Sequence, residues 1–137
     1  MRPLAVVLIL APLPLPAETV GSLPLEPGFY VRVEAACAEA SAATLTLHHP
    51  GGLMGLQDFC RFEKITRTGP ARFSVTQTCG PDEAQAETDT VTYDLTGTTG
   101  FRMTSPHGWD YSSRLCPQRD LPAPFDAIDL KDLLGQL

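Results

Sequence analysis

The sequence predicts an all-β fold, a small antiparallel β-barrel or β-sandwich of about seven short strands, with two disulfides and a short C-terminal helical tail. Three observations carry this expectation. Apolar and polar residues alternate at period two in most runs between residues 29 and 116. Turn signals such as Pro50-Gly51-Gly52, Thr68-Gly69-Pro70 and Thr96-Gly97-Thr98 punctuate those runs. Thr and aromatic residues, which suit a pleated, half-buried surface, are concentrated within them. At 137 residues the chain is at most one modest domain. Its expected parts are a leader at 1–17, a disulfide-stapled β domain at 18–120 and a Pro-rich, weakly helical tail at 121–137.

The leader reads MRPLAVVLILAPLPLPA, with a positive Arg2 and an uninterrupted apolar run from Leu4 to Leu10. Prolines at 12, 14 and 16 then break any helix before the small Ala17. A bilayer-spanning helix needs about 20 apolar residues, so the run is too short to span. The pattern is that of a secretory signal cut after Ala17, with Leu15 at the −3 position. The expected location is the periplasm or the extracellular space, with no membrane attachment after cleavage. Asparagine is absent, so the chain has no N-glycosylation sequon.

Residues 18–28 read as an irregular lead-in. The first strand is expected to turn Phe29, Val31, Val33, Ala35 and Cys37 inward, and Tyr30, Arg32 and Glu34 outward. Residues 38–42 form a helical turn or a loop. Ala43 to His49 alternates again, with Leu45 and Leu47 inward and Thr44 and Thr46 outward. In the next hairpin Cys60 and Phe62 share a face, whereas Ile65 has the opposite parity. A one-residue bulge near Glu63-Lys64 is expected to return Ile65 to the core, opposite Val75. Phe73, Val75 and Cys79 share a parity on the partner strand. After an acidic loop at 81–89, Val91, Tyr93 and Leu95 alternate with Thr92 and Asp94. Turns at 96–100 and 105–108 bracket Phe101 and Met103, and 109–116 is the last strand. In the tail, Phe125, Ile128 and Leu133, with Leu134 or Leu137, form an apolar stripe expected to dock on the protein's own barrel.

Four cysteines in a small exported chain are expected to form two disulfides. No Cys-x-x-Cys pair occurs, which removes the main support for a zinc ribbon or a thioredoxin-type site. If 60–79 is a hairpin centred on Thr68-Gly69-Pro70, Cys60 and Cys79 stand opposite one another. Opposed residues in a non-hydrogen-bonded pair have Cα atoms about 4.5 Å apart, within disulfide reach. The expected pairs are therefore Cys60–Cys79 and Cys37–Cys116.

Charge and motif content narrow the function. The net charge is −6 and the only lysines are Lys64 and Lys131, so a phosphate-binding surface and a nucleic-acid partner are excluded as the default. His48 and His49 are neighbours on a strand and point to opposite faces, which prevents them from chelating one ion. Ser105, His107 and Asp110 are neighbours on a turn, an arrangement unlike a catalytic triad, and no G-x-S-x-G elbow occurs. Paired carboxylates from Asp58, Glu63, Asp94 and Asp110 would be needed for a small hydrolase. The acidic cluster of Asp82, Glu83, Glu87 and Asp89 does not match a calcium loop. The expectation is a protein that is not an enzyme and uses no cofactor or metal.

The most site-like segment is 101–114, FRMTSPHGWDYSSR, which holds the only tryptophan. Its candidate binding residues are Arg102, His107, Trp109, Tyr111 and Arg114, because Trp, Tyr and Arg dominate binding hot spots. The alternative for Trp109 and Tyr111, which share a parity, is that they fill the core. Ser105-x-x-Gly108-x-x-Tyr111 resembles the Ser-x-Ser-Gly-x-x-Tyr loop of the periplasmic C-type lysozyme inhibitors. His107 stands where that loop has its second serine, and the Trp-x-Lys-Gly segment that should follow has no counterpart. The resemblance implies a small secreted β-barrel whose loop enters an enzyme cleft, with a disulfide from the first strand to the C-terminal region. The leading expectation is an exported, non-enzymatic binding or inhibitory module whose partner is an envelope or secreted protein. The alternatives are a purely structural envelope protein, or a small-ligand carrier of calycin-like type with Phe29, Val31, Leu45, Leu47 and Tyr93 lining its cavity.

Overall fold

The computed structural model describes residues 3, 5–13 and 16–137. Arg2, Leu4 and Leu15, on which part of the leader expectation rests, lie outside these residues. Among the described leader residues, Val6 to Leu10 and Leu13 are all highly exposed. No described helix is long and apolar enough to cross a membrane.

The chain forms a closed, up-and-down antiparallel barrel of eight strands plus one short additional strand. The strands are β1 (Glu18–Val20), β2 (Gly28–Arg32), β3 (Leu45–His49), β4 (Gly52–Met54), β5 (Phe59–Arg67), β6 (Arg72–Gly80), β7 (Glu87–Thr96), β8 (Gly100–Thr104) and β9 (Asp110–Leu115). From β2 to β9 each strand pairs with the next, and β9 returns to β2. Closure satisfies the backbone groups that an open sheet would leave on its edges. β5 is long enough to take two neighbours on one side, β4 at Phe59–Arg61 and β1 at Ile65–Arg67.

Two strands are additional to the sequence expectation. The 18–28 segment contains β1, and β4 follows directly after Pro50-Gly51. The period-two signal cannot register strands as short as three residues. The first strand also ends earlier than its alternation suggests: β2 stops at Arg32, and Cys37–Glu39 is a turn of 3₁₀ helix. The expected bulge is present, because the β5–β6 register breaks between Phe62 and Lys64 and places Ile65 opposite Val75. Cys60 pairs with Cys79 across the same hairpin, at a Cα–Cα distance of 4.1 Å. The second disulfide is Cys37–Cys116.

The side-chain facing of β2 and β3 is the reverse of the expected one. The barrel interior holds Tyr30, Ile65, Phe73, Val75, Val91, Tyr93, Phe101 and Met103. Phe29, Val31, Leu45 and Leu47 instead lie on the outer wall, in a second apolar cluster with Ala40, Cys116 and Leu121. The C-terminal tail covers this outer cluster with Phe125, Ile128, Leu130, Leu133 and Leu134. The tail helix, α1, spans Leu130–Gly135 and is capped by the Asp129 side chain, which accepts from the Asp132 amide. Leu137 remains half-exposed. Burying an apolar side chain contributes about 1.5–3 kcal/mol, so β2 and β3 gain from burial on both faces. Of the five residues expected to line a cavity, Tyr93 points inside the barrel and Leu45, though part of the outer cluster, borders the cavity at the open end; Phe29, Val31 and Leu47 do neither.

The two ends of the barrel differ. At one end, Leu23 and Leu25 of the β1–β2 segment are buried against the interior. This closing segment is fastened by the Glu26 amide, which donates to the Thr98 carbonyl, and by the Tyr30 hydroxyl, which donates to the Glu26 carbonyl at 2.7 Å. The other end carries the 33–44, 55–58, 81–86 and 105–109 connections.

Candidate binding mouth

Between those four connections the barrel opens into a cavity of about 700 Å³. Leu53, Val91 and Met103 form an apolar floor, and Cys60 and Cys79 lie in one wall. The volume falls within the range of small-molecule sites. Gln77 also lines the cavity; it is buried with Tyr93, whose hydroxyl donates to Gln77 Oε1 at 2.9 Å. Burial holds the Tyr93 phenol well above its ordinary range.

The aromatic wall comes from the end of β9 and the turn before it. Trp109 and Tyr111 are two residues apart and therefore face the same way. Their rings are parallel within 3°, with centroids 6.2 Å apart. Arg32 opposes Ser113 on β9, and its guanidinium carbon lies 4.0 Å from the centre of the Tyr111 ring. This places Arg32 at the cavity, opposite to the outward position expected for it, because it shares the parity of Tyr30. Burial pushes the Tyr111 phenol up to about 12; the Arg32 charge opposes that rise and the Asp58 charge adds to it. Trp109 is 50% exposed, so the core-filling alternative does not apply to it.

His107 sits at the tip of the 105–109 turn. Its amide donates to Ser105 Oγ at 2.9 Å, and its Nε2 lies 2.8 Å from Asp89 Oδ2. The turn is thereby tied to β7 across the rim. Asp89 shares the inward parity of Val91 and Tyr93, so the alternation extended by one step would have located it. Asp58 and Glu87 complete the acidic side of the rim. Arg32, Gln77, Asp58 and Asp89 are outside the binding set expected from sequence, in which Asp58 counts only as a hydrolase carboxylate and Asp89 only as part of the acidic loop cluster. Asp58 carries no periodic signal that would place it here.

The five sequence candidates therefore separate. His107, Trp109 and Tyr111 meet at the mouth. Arg102 is on the outer wall, paired with Asp110. Arg114 is also turned outward, where it donates to the carbonyls of Arg32 and Ala35 and so holds the start of the 33–44 connection. The separation follows from strand geometry, since residues of opposite parity on one strand cannot share a face.

The remaining polar candidates do not assemble. The His107 imidazole faces Asp89 and Asp110 faces Arg102, so Ser105, His107 and Asp110 form no relay. His48 lies inside the barrel, whereas the His49 Nδ1 accepts from the Gly51 amide. Among the described residues, no three or more His, Cys, Asp or Glu side chains gather where they could hold a metal ion. Comparison with known protein families, characterised proteins and solved structures finds no match to this chain.

Proposed function

We propose that the protein is an exported, non-enzymatic binding module that takes its ligand at the open end of the barrel. One observation carries the reading: the barrel is sealed at one end by Leu23 and Leu25 and open at the other above an apolar floor. A barrel needed only as a structural element gains nothing from such a cavity, because an unfilled interior loses dispersion contacts. The two disulfides agree with an oxidising compartment outside the cytoplasm. The lining that supports a ligand-carrying role is Leu53, Val91, Met103, Tyr111 and Trp109, with Leu45 the one residue of the expected set that borders the cavity.

The test is an equilibrium titration of the oxidised protein with N-phenyl-1-naphthylamine, a neutral apolar probe, read by probe fluorescence and by quenching of Trp109. Saturable uptake of one probe per chain is expected, and Val91→Phe, which fills the cavity, is expected to weaken it. A wild-type protein that shows no saturable uptake would remove the reading.

A second reading is favoured by the half-exposure of Trp109 on the tied 105–109 turn. In it the rim is the contact surface for an envelope or secreted protein, as in the inhibitors whose loop this turn resembles. Direct binding to a panel of purified lysozymes, lost in Trp109→Ala, would support it.

A further inference from the structure

Three charged side chains at the mouth, Arg32, Asp58 and Glu87, have no ion-pair partner among the described residues, and Arg32 is held only against the Tyr111 ring. Arg32 makes no ion pair and no side-chain hydrogen bond, whereas each of the other described arginines has at least one such partner. Asp58 and Glu87 likewise have no cationic partner, unlike Asp89, which faces His107. Arg32 packs on the Tyr111 ring, and Asp58 lines the same cavity as both. Arg32 and Asp58 form no ion pair with each other. One cavity is therefore lined by a guanidinium and a carboxylate, neither of them ion-paired, together with the Trp109 and Tyr111 rings.

This pattern discriminates between ligand classes. A polyanion such as a phosphate ester would gain from Arg32 but be repelled by Asp58 and Glu87. A simple amine would gain from the carboxylates and be repelled by Arg32. A ligand with both charges satisfies both sides, since the planar guanidinium takes a carboxylate through two parallel hydrogen bonds and an ammonium donates to a carboxylate. Its apolar part is then directed to Leu53, Val91 and Met103, with Trp109 available for stacking.

Resting on the binding-module reading above, we infer that the mouth takes a zwitterion with an apolar body, namely a short peptide whose terminal carboxylate meets Arg32 and whose terminal ammonium meets Asp58. The cavity of about 700 Å³ accommodates a ligand of two or three residues.

The experiment uses the oxidised protein and leucyl-leucine, with Trp109 fluorescence as the readout and displacement of N-phenyl-1-naphthylamine as a second measure. N-acetylation or C-amidation of the dipeptide is each expected to weaken binding about tenfold, the effect of one lost charge-assisted hydrogen-bond set. Arg32→Leu is expected to erase the discrimination against the amide, and Asp58→Asn the discrimination against the acetylated form. Both positions are exposed or on a turn, and circular dichroism checks that the variants fold. If the naphthylamine binds while all dipeptide forms bind equally or not at all, the zwitterion inference is overturned and the apolar cup remains. If neither naphthylamine nor dipeptide binds, the cup reading fails and the inference falls with it.

Discussion

His48 packs edge-on against Tyr30 in the barrel interior, with ring centroids 5.7 Å apart and an interplanar angle of 76°. It is 1% exposed, it also borders Phe62, and its Nδ1 has no hydrogen-bond partner. Burial, with a smaller contribution from the His49 charge, lowers its pKa to about 4.

Acid should therefore weaken the fold chiefly through this side chain, with His49, whose pKa burial also lowers, acting in the same direction. The unfolded chain binds the proton near pH 6.5 and the folded chain only near pH 4. Stability from this group is fully present above pH 6.5 and is lost as pH falls through that window, by about 3 kcal/mol in all. Urea denaturation at pH 7.5 and pH 4.5 measures the loss. His48→Leu should remove most of it, and an unchanged pH dependence in that variant would assign the loss elsewhere.

The two disulfides should differ in what they contribute. Cys60–Cys79 closes a span of 19 residues and Cys37–Cys116 a span of 79. In the chain-entropy model their removal as Ala pairs costs about 3 and about 4.5 kcal/mol respectively. Cys60 and Cys79 are both half-buried and face the cavity, whereas Cys116 is buried. A mild thiol reductant should therefore open Cys60–Cys79 first, as read by alkylation and peptide mapping.

Gly52 should tolerate no side chain. It has φ +154°, and a Cβ built there would lie 1.9 Å from the Cys60 carbonyl oxygen on the neighbouring strand. Gly52→Ala must push β4 away from β5 and is expected to cost at least about 1 kcal/mol. A denaturation midpoint equal to that of the wild type would contradict this.

The tail should behave as part of the folded domain. Gln118 Nε2 donates to the carbonyls of Phe125 and Ile128, at 2.9 and 2.5 Å. Gln118→Leu leaves both carbonyls unmet and should raise amide exchange in 125–135 while leaving β5–β7 unchanged. Deleting 122–137 uncovers Phe29, Val31 and Leu47, and the truncated chain should bind a hydrophobic dye and self-associate.

Much of the wall is legible in the sequence. The Phe62–Ile65 parity conflict implied a bulge, and the hairpin implied the Cys60–Cys79 pair. Both are local consequences of period-two geometry along one pair of strands. The mouth was less legible. Trp109, Tyr111 and His107 stand out by residue type, but Asp58 lies on a turn without periodicity, and the alternation of β2 alone points Arg32 to the outer face.

The sequence by itself determined the β class, the disulfide pairing, the central hairpin register and the existence of an apolar tail stripe, because each depends on spacing within a short stretch of chain. Only the tertiary structure decided which face of β2 and β3 is the inside. Both faces of those strands carry apolar residues, Tyr30 on one and Phe29, Val31, Leu45 and Leu47 on the other. Alternation reports that two faces differ and not which one closes into a barrel. That choice depends on the tail, which buries the larger apolar face from outside and leaves Arg32 to point into the mouth.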